Sequence, residues 1–135
     1  MRIKGIKQVF LYVATIGLSI FLLFFFICCS WIGYEVKNKC QEAKGDYGGD
    51  CVEALVELLG DESKEFRSRN DAIWALGQLG DSRALPILQS YYTGNIPPRE
   101  SLNKTISQYE LKKAINLASG GLNITAVFWR YNINN

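Results

Sequence analysis

The longest hydrophobic stretch of the chain lies near its beginning and carries no charged residue from Gln8 to Tyr34. It consists mainly of Phe, Leu, Ile and Val side chains. A helix needs about 20 apolar residues to cross a bilayer, whereas the apolar region of a cleaved signal peptide has about 7 to 15. The pattern therefore predicts an uncleaved transmembrane helix at residues 9–33, preceded by a basic tail at residues 1–8.

A different pattern begins after a polar stretch at residues 34–49, which we interpret as a juxtamembrane linker. Between residues 50 and 119, apolar side chains recur every three or four positions, which is the spacing of helices that bury one face. Residues that favour helix starts and glycines that favour helix ends separate these runs. The pattern predicts helices that start at Asp50, near Ser63 or Lys64, at Ala84 and at Ser107.

The last part of the chain, residues 120–135, combines β-branched with aromatic side chains. Ile124, Val127 and Phe128 would suit a strand, whereas Asn123 would suit the cap of a short helix. A helix is favoured because no partner strand is evident elsewhere in the sequence. We expect this segment to act as a cap that covers the last helical hairpin with its aromatic side chains.

Composition narrows the chemistry that the sequence suggests. The chain has no histidine, which is the residue that most often transfers protons near neutral pH. Ser-His-Asp catalysis, Cys-His catalysis and zinc sites with imidazole ligands are therefore excluded. The net charge is +2, and the interspersed charges lack the basic stripe of a nucleic-acid-binding surface. We expect no catalytic residues, no metal, no cofactor and no nucleic-acid partner.

The orientation of the predicted span depends on the charges that flank it. Three Lys or Arg residues precede the apolar stretch and three follow within a few residues, but acidic neighbours offset the second group. A short basic segment ahead of the first apolar run usually stays in the cytoplasm. We therefore expect a cytoplasmic N-terminus and an extracytoplasmic C-terminal domain.

Cys40 and Cys51 follow the predicted span and are separated by a segment with three glycines. A disulfide between them would close a short loop and would need an oxidising compartment. The alternative is that Cys51 is simply a buried helix residue and Cys40 an unpaired thiol. The predicted orientation favours the disulfide.

The stretch from Phe66 to Asp81, FRSRNDAIWALGQLGD, is followed by ALPIL from Ala84 to Leu88. Together they resemble the HEAT-like repeat of the phycobilisome-lyase type, in which A-x-x-A-L-G-x-L-G-D closes the inner helix. The resemblance covers about one repeat, residues 61–90. It implies an all-α protein in which the N-terminal transmembrane helix is followed by a short α-solenoid of HEAT-like hairpins.

The resemblance also suggests where a partner would bind, because the inner helix of such arrays commonly faces the partner. For Arg67, however, the resemblance favours a structural pair with Asp61 that links loop and helix over a binding role. Elsewhere, exposed aromatic and arginine side chains are of the kind enriched at interface hot spots. The interaction candidates are Arg67, Arg69, Asp71, Tyr91, Tyr92, Arg99 and Trp129.

Three functions from different classes fit this sequence. We favour a module without catalytic activity, which is anchored in the lipid bilayer and binds a protein partner of unknown identity through its HEAT repeats. The second is a structural small subunit of a membrane complex, whose span packs against other membrane helices. The third is a bilin-lyase-like enzyme, which only the resemblance implies, and fold analogy alone does not transfer activity.

Overall fold

The structure is a computed structural model that describes residues 2–133, with side chains from residue 5 onward. Met1 of the predicted basic tail and residues 134–135 of the predicted cap lie outside it. The described chain is all-α, as predicted. Its helices are α1 (Arg2–Tyr47), α2 (Cys51–Gly60), α3 (Phe66–Leu79), α4 (Leu85–Tyr91), α5 (Gln108–Ala118) and α6 (Ala126–Trp129), with 3-10 turns at Ser82–Ala84 and Arg130–Asn132.

Helix α1 is 46 residues long and continues well past the apolar run. The prediction of a linker at residues 34–49 is therefore wrong. Small and apolar side chains recur here at alternating intervals of four and three, so they form one face that packs against the following elements. The positions of this face are Cys29, Gly33, Val36, Cys40, Ala43 and Tyr47.

We call residues 5–28 the exposed half of α1 and residues 29–47 its packed half. The helix ends at Gly48 and Gly49, whose φ angles are +71° and +72°. Side chains with a Cβ rarely adopt this left-handed conformation, so the glycine pair allows the chain to turn back toward α2.

The predicted capping box at the start of α2 is present. The Asp50 carboxylate accepts a hydrogen bond from the backbone N–H of Glu53, whose side chain accepts one from the Asp50 backbone. Helix α3 starts later than predicted, at Phe66. The reason is a turn in which the Asp61 carboxylate accepts hydrogen bonds from both the backbone and the hydroxyl of Ser63.

Helix α3 lies at the centre of the array, between α2 and α5. Gly77 permits the close contact with α5, since a Cβ there would lie 2.8 Å from the Cα of Ala114. Large side chains from α1 and from all of α2 to α5 fill the core. The largest fully buried apolar ones are Val36, Leu55, Leu59, Ile73, Leu76, Leu88 and Leu111.

The connections around α4 and α5 use the predicted polar residues. Pro86 lies in the first turn of α4, where its missing N–H would have had no helical partner. At the start of α5, the Ser107 hydroxyl accepts a hydrogen bond from the backbone N–H of Glu110. This bond is one half of the predicted capping box.

The C-terminal segment is helical, as favoured from the sequence, but it does not cover the last hairpin. It packs on α1, where a Cβ at Gly33 would lie 2.6 Å from the Cβ of Trp129. The Phe128 ring lies 5.5 Å from the rings of Phe25 and Phe26. The prediction was wrong about the covered surface because α1, taken to end at residue 33, extends alongside the domain.

Two hydrogen bonds join the same segment to the end of α3. The side-chain amide of Asn123 donates to the side-chain oxygen of Gln78 at 2.8 Å, and Arg130 Nε donates to the Gln78 carbonyl at 2.8 Å. The C-terminal segment therefore bridges α3 and α1.

Candidate interaction surfaces

The exposed half of α1 presents a continuous apolar surface. Its large apolar side chains from Ile6 to Ile27 are mostly between 44% and 74% exposed. The hydroxyls of Thr15 and Ser19 donate to carbonyl oxygens one turn earlier, so they need no outside partner. Among the described helices, this one is long and apolar enough to cross a membrane.

Cys40 and Cys51 lie at disulfide distance, with their Cα atoms 5.1 Å apart. Cys40 belongs to the packed half of α1, and Cys51 is the first residue of α2. Both side chains are buried. The structure thus brings this predicted pair together at the junction between α1 and the repeats.

Arg69 is only 5% exposed and cannot reach a partner in this fold. Its Nε donates to the carbonyl of Leu59 at 2.8 Å, and its Nη2 donates to the Tyr91 hydroxyl at 3.1 Å. The guanidinium also lies 5.4 Å from the centre of the Tyr91 ring. The interaction role expected for Arg69 and Tyr91 is therefore replaced by an internal contact that joins α2, α3 and α4.

Asp71 lies on the surface between α3 and α1. Its carboxylate is 3.0 Å from the Lys39 amine, and the two side chains are partly exposed. The hydrogen bond to Asp71 raises the pKa of Lys39 above its ordinary value. This pair links the centre of the array to the packed half of α1.

Asp61, the expected partner of Arg67, makes other contacts. It accepts hydrogen bonds from Ser63 and, at 2.6 Å, from the Tyr47 hydroxyl at the end of α1. Hydrogen bonds from Ser63 and then Tyr47 lower the pKa of Asp61 to about 2. The predicted Asp61–Arg67 pair is wrong because the turn before α3 directs the carboxylate toward α1.

Arg67 and Arg99 are exposed, and neither forms an ion pair with the part of the chain that is described. Arg67 lines a groove of about 440 Å³ together with Lys64, Glu65 and Asn103. The groove lies between the start of α3 and the loop that precedes α5. Among the interaction candidates, these two arginines keep their charged groups available to a partner.

The remaining two candidates are aromatic and contribute to packing. Tyr92 is half-buried at the end of α4, and Trp129 is 5% exposed against Gly33. Trp129 therefore holds the C-terminal segment to α1 and is not accessible to a partner. Its burial could not be foreseen while α1 was expected to end near residue 33.

Sequence reasoning missed Asn70, which is 4% exposed. Its amide nitrogen donates to the carbonyls of Leu102 at 2.9 Å and Thr105 at 2.8 Å, and its oxygen accepts from the Ser107 N–H at 2.8 Å. These bonds hold the loop before α5 against α3. The available signal was its position three residues before Ile73, on the buried face of a helix, where asparagine needs partners.

No described set of three or more acidic or cysteine side chains is placed to hold a metal ion. Two exposed features are described above: the exposed half of α1, and the groove that contains Arg67.

A match to a known family accounts for the unexpected length of α1. The family model for HEAT repeats matches residues 29–101, more than half of the chain. The chain belongs to the HEAT-repeat family. The match begins where the packed half of α1 begins, so this half is the first helix of the HEAT array and the exposed half precedes the array.

A curated protein is similar to more than half of this chain. Deoxyhypusine hydroxylase from Schizosaccharomyces pombe is 27% identical over 84 residues, which is 60% of this HEAT-repeat chain and 26% of the relative. The chain therefore spans about a quarter of that protein's length. No solved structure gives a significant match.

This relative overturns the expectation that the chain is not an enzyme. A protein similar to 60% of this HEAT-repeat chain is named as an enzyme. The absence of histidine excludes only chemistry that needs imidazole, so it does not exclude other catalytic mechanisms. Membership of the HEAT-repeat family indicates a helical repeat module and leaves room for activity.

Proposed function

We propose that this HEAT-repeat protein is a membrane-anchored interaction module, in which the exposed half of α1 crosses the bilayer and the repeats bind a protein partner. The observation that carries the proposal is that α1 serves two environments. Its exposed half carries no charged residue after Lys7 and exposes apolar side chains, and its packed half is the first helix of the array. Hydrocarbon would cover the first part, because apolar surface in water costs about 25 cal/mol per Å².

Arg67 supports a partner that presents an acidic side chain to it, within a groove that Glu62, Lys64 and Glu65 also line. Arg67 and Arg99 lack ion-pair partners within residues 5–133, and an arginine binds a carboxylate with two parallel hydrogen bonds. Arginine is also enriched among residues that dominate binding energy. The phycobilisome-lyase type of repeat that the sequence resembles stays a prediction.

The membrane anchor is tested by alkaline carbonate extraction of membranes that contain the full chain. The wild type should stay in the pellet. The double variant Leu18→Arg, Phe21→Arg should leave it, because each arginine near the centre of a span costs about 2.5 to 3.5 kcal/mol. Tyr109→Arg, on the exposed surface of α5, is the matched control and should remain in the membrane. Extraction of the wild type by carbonate would refute the anchor.

The partner surface is tested by crosslinking the full chain in membranes and identifying captured proteins by mass spectrometry. Arg67→Glu should reduce capture of an authentic partner at least about tenfold, which corresponds to the loss of a hot-spot contact. Lys112→Glu makes the same charge change on the exposed side of α5 and should leave capture unchanged. Equal capture by both variants would exclude the Arg67 groove as the binding surface.

A further inference from the structure

The C-terminal segment carries exposed apolar side chains that the packing of the described chain does not use. Leu122, Val127 and Tyr131 are 87%, 80% and 80% exposed, and Ile124 and Phe128 are 59% and 49% exposed. Val127 lies in α6, and Tyr131 lies in the 3-10 turn that follows it. We call these five residues the C-terminal apolar patch. Such a concentration of exposed apolar groups marks a contact surface.

The patch is continuous with the apolar surface of α1. The Phe128 ring meets Phe25 and Phe26 edge to face, with ring centres 5.5 Å apart in both pairs. These two phenylalanines lie near the end of the exposed half of α1. Whatever medium covers Phe26 therefore also reaches the neighbourhood of Phe128.

The direction of α3 places the patch on the side of the domain that faces the exposed half of α1. Early in α3, Asp71 contacts Lys39 of the packed half. At the end of α3, Gln78 binds Asn123 and Arg130 of the C-terminal segment. Helix α3 thus runs antiparallel to the packed half of α1. The C-terminal segment, which is bonded to the last turn of α3, therefore lies toward the exposed half of α1.

The exposed half of α1 is long enough for a span whose end lies near Phe26. A span needs about 20 residues, and counting back that number from Phe26 reaches Lys7, the nearest charged residue before the apolar run. Beyond Phe26, Trp31 and Tyr34 are 66% and 67% exposed. Amphipathic rings favour the headgroup layer, so these residues fit the membrane–water interface.

A groove of about 350 Å³ between α1 and the C-terminal segment has matching chemistry. Phe26 and Phe128 form apolar walls, and Tyr34 and Lys37 lie farther along α1 at its polar side. An apolar pocket beside an amine suits the acyl chain and the phosphate of a phospholipid.

We propose that the C-terminal apolar patch rests in the interfacial layer of the bilayer that α1 crosses, so that the domain contacts lipid at two places. This inference rests on the proposed membrane anchor. The occupant is a phospholipid surface, since Phe128 meets Phe25 and Phe26 near the end of the exposed half of α1.

The experiment is photo-crosslinking of the full chain in nanodiscs of phosphatidylcholine and phosphatidylglycerol, read by intact mass spectrometry. p-Benzoylphenylalanine replaces Val127 or Tyr131 in the patch. It replaces Leu18 as the control within the span and Tyr109, which is 54% exposed on α5, as the control on the domain surface. Circular dichroism of each variant checks that the helices are intact.

Lipid adducts at Val127 and Tyr131 should exceed those at Tyr109 about tenfold, because an interfacial apolar group reaches about 5 to 10 Å into the boundary between headgroups and acyl chains. Adducts with a second copy of the chain, or lipid yields at the Tyr109 level, would overturn the proposal. A lipid adduct at Leu18 together with none at Val127 or Tyr131 refutes the lipid contact of the patch and leaves the anchor intact. No adduct at Leu18 refutes the anchor itself.

Discussion

Adjacent residues at the start of α3 hold different parts of the array. Arg69 reaches the last turn of α2 and the Tyr91 hydroxyl of α4, whereas Asn70 binds three backbone groups of the loop before α5. Both side chains are at least 95% buried. Buried polar groups of this kind are costly unless all partners are present, so they select one arrangement of the helices.

Asn70→Ala should lower the free energy of unfolding by about 1 to 3 kcal/mol, since it leaves buried backbone groups without partners. Denaturation of the full chain in detergent, followed by tryptophan fluorescence, measures this change. Asn103→Ala removes an exposed asparagine from the same loop and should have little effect. Equal stability of the two variants would mean that the loop is held by other contacts.

The Asp61 carboxylate gives the domain a defined response to acid. Its pKa is about 2 in the folded chain and 3.8 ordinarily, so its bonds stabilise the folded state above about pH 4. This contribution is lost as the pH falls from 3.8 toward 2. Tyr47→Phe should move the pKa back toward 3.8, as measured by carboxyl NMR titration. An unchanged titration would show that Ser63 alone sets the shift.

Local patterns predicted the residue-scale features that depend on neighbours in sequence. Asp50 and Ser107 act at helix starts because a cap needs only a polar side chain next to free N–H groups. The partners of Arg69 and Asn70 lie 10 to 37 residues away. Such bonds depend on how the helices pack, which no local pattern contains.

At the scale of elements, the main error concerned the end of α1. Polar and glycine residues suggested a linker, although Val36, Cys40, Ala43 and Tyr47 already form a helical stripe. The linker was predicted because the polar and glycine residues were given more weight than the helical spacing of the apolar residues. The remaining helices were found because their apolar spacing and their caps agreed.

Gly33 and Gly45 offer a matched comparison within α1. Gly33→Ala should weaken the contact with Trp129 and lower stability by about 1 to 3 kcal/mol, because the new Cβ would overlap that side chain. Gly45 faces open space, so Gly45→Ala should be neutral or stabilising by up to about 1 kcal/mol. Denaturation and hydrogen exchange of the C-terminal segment measure both effects. Faster exchange in Gly45→Ala instead would contradict this packing.

The Cys40–Cys51 pair joins α1 to α2. If the bond forms, replacing both cysteines by serine should lower the free energy of unfolding by about 3 kcal/mol, the value expected for a short closed loop. The comparison is with wild type under oxidising conditions. Adding reductant should lower the stability of the wild type and leave the double variant unchanged. A variant as stable as the wild type would argue against the bond.

At the scale of the whole molecule, the sequence predicted an all-α chain with an apolar helix before HEAT repeats, and the structure has this order. It could not predict that the first helix belongs to both parts. That fact depends on the contact between Gly33 and Trp129, which lie about 100 residues apart in the chain. The absence of histidine was also a weaker guide to activity than it had seemed.

The predicted orientation makes a whole-molecule prediction about thiols. With the repeats on the extracytoplasmic side, a membrane-impermeant maleimide applied to intact cells should label Cys40 and Cys51 only after reduction and partial unfolding. An introduced Ser90→Cys, exposed at the end of α4, should be labelled at once. Protection of this cysteine until the cells are lysed would place the repeats in the cytoplasm.

The unbroken course of α1 has a mechanical consequence for the array. A helix advances by about 100° per residue, so with the proposed anchor in place, one residue inserted between the two halves would turn the groove at Arg67 by more than a quarter of a circle relative to the bilayer. A tilt of the span would also reorient the repeats, because the packed half continues the same helix. A thinner bilayer, to which a long apolar helix adapts in part by tilting, would thereby change the direction in which the groove points.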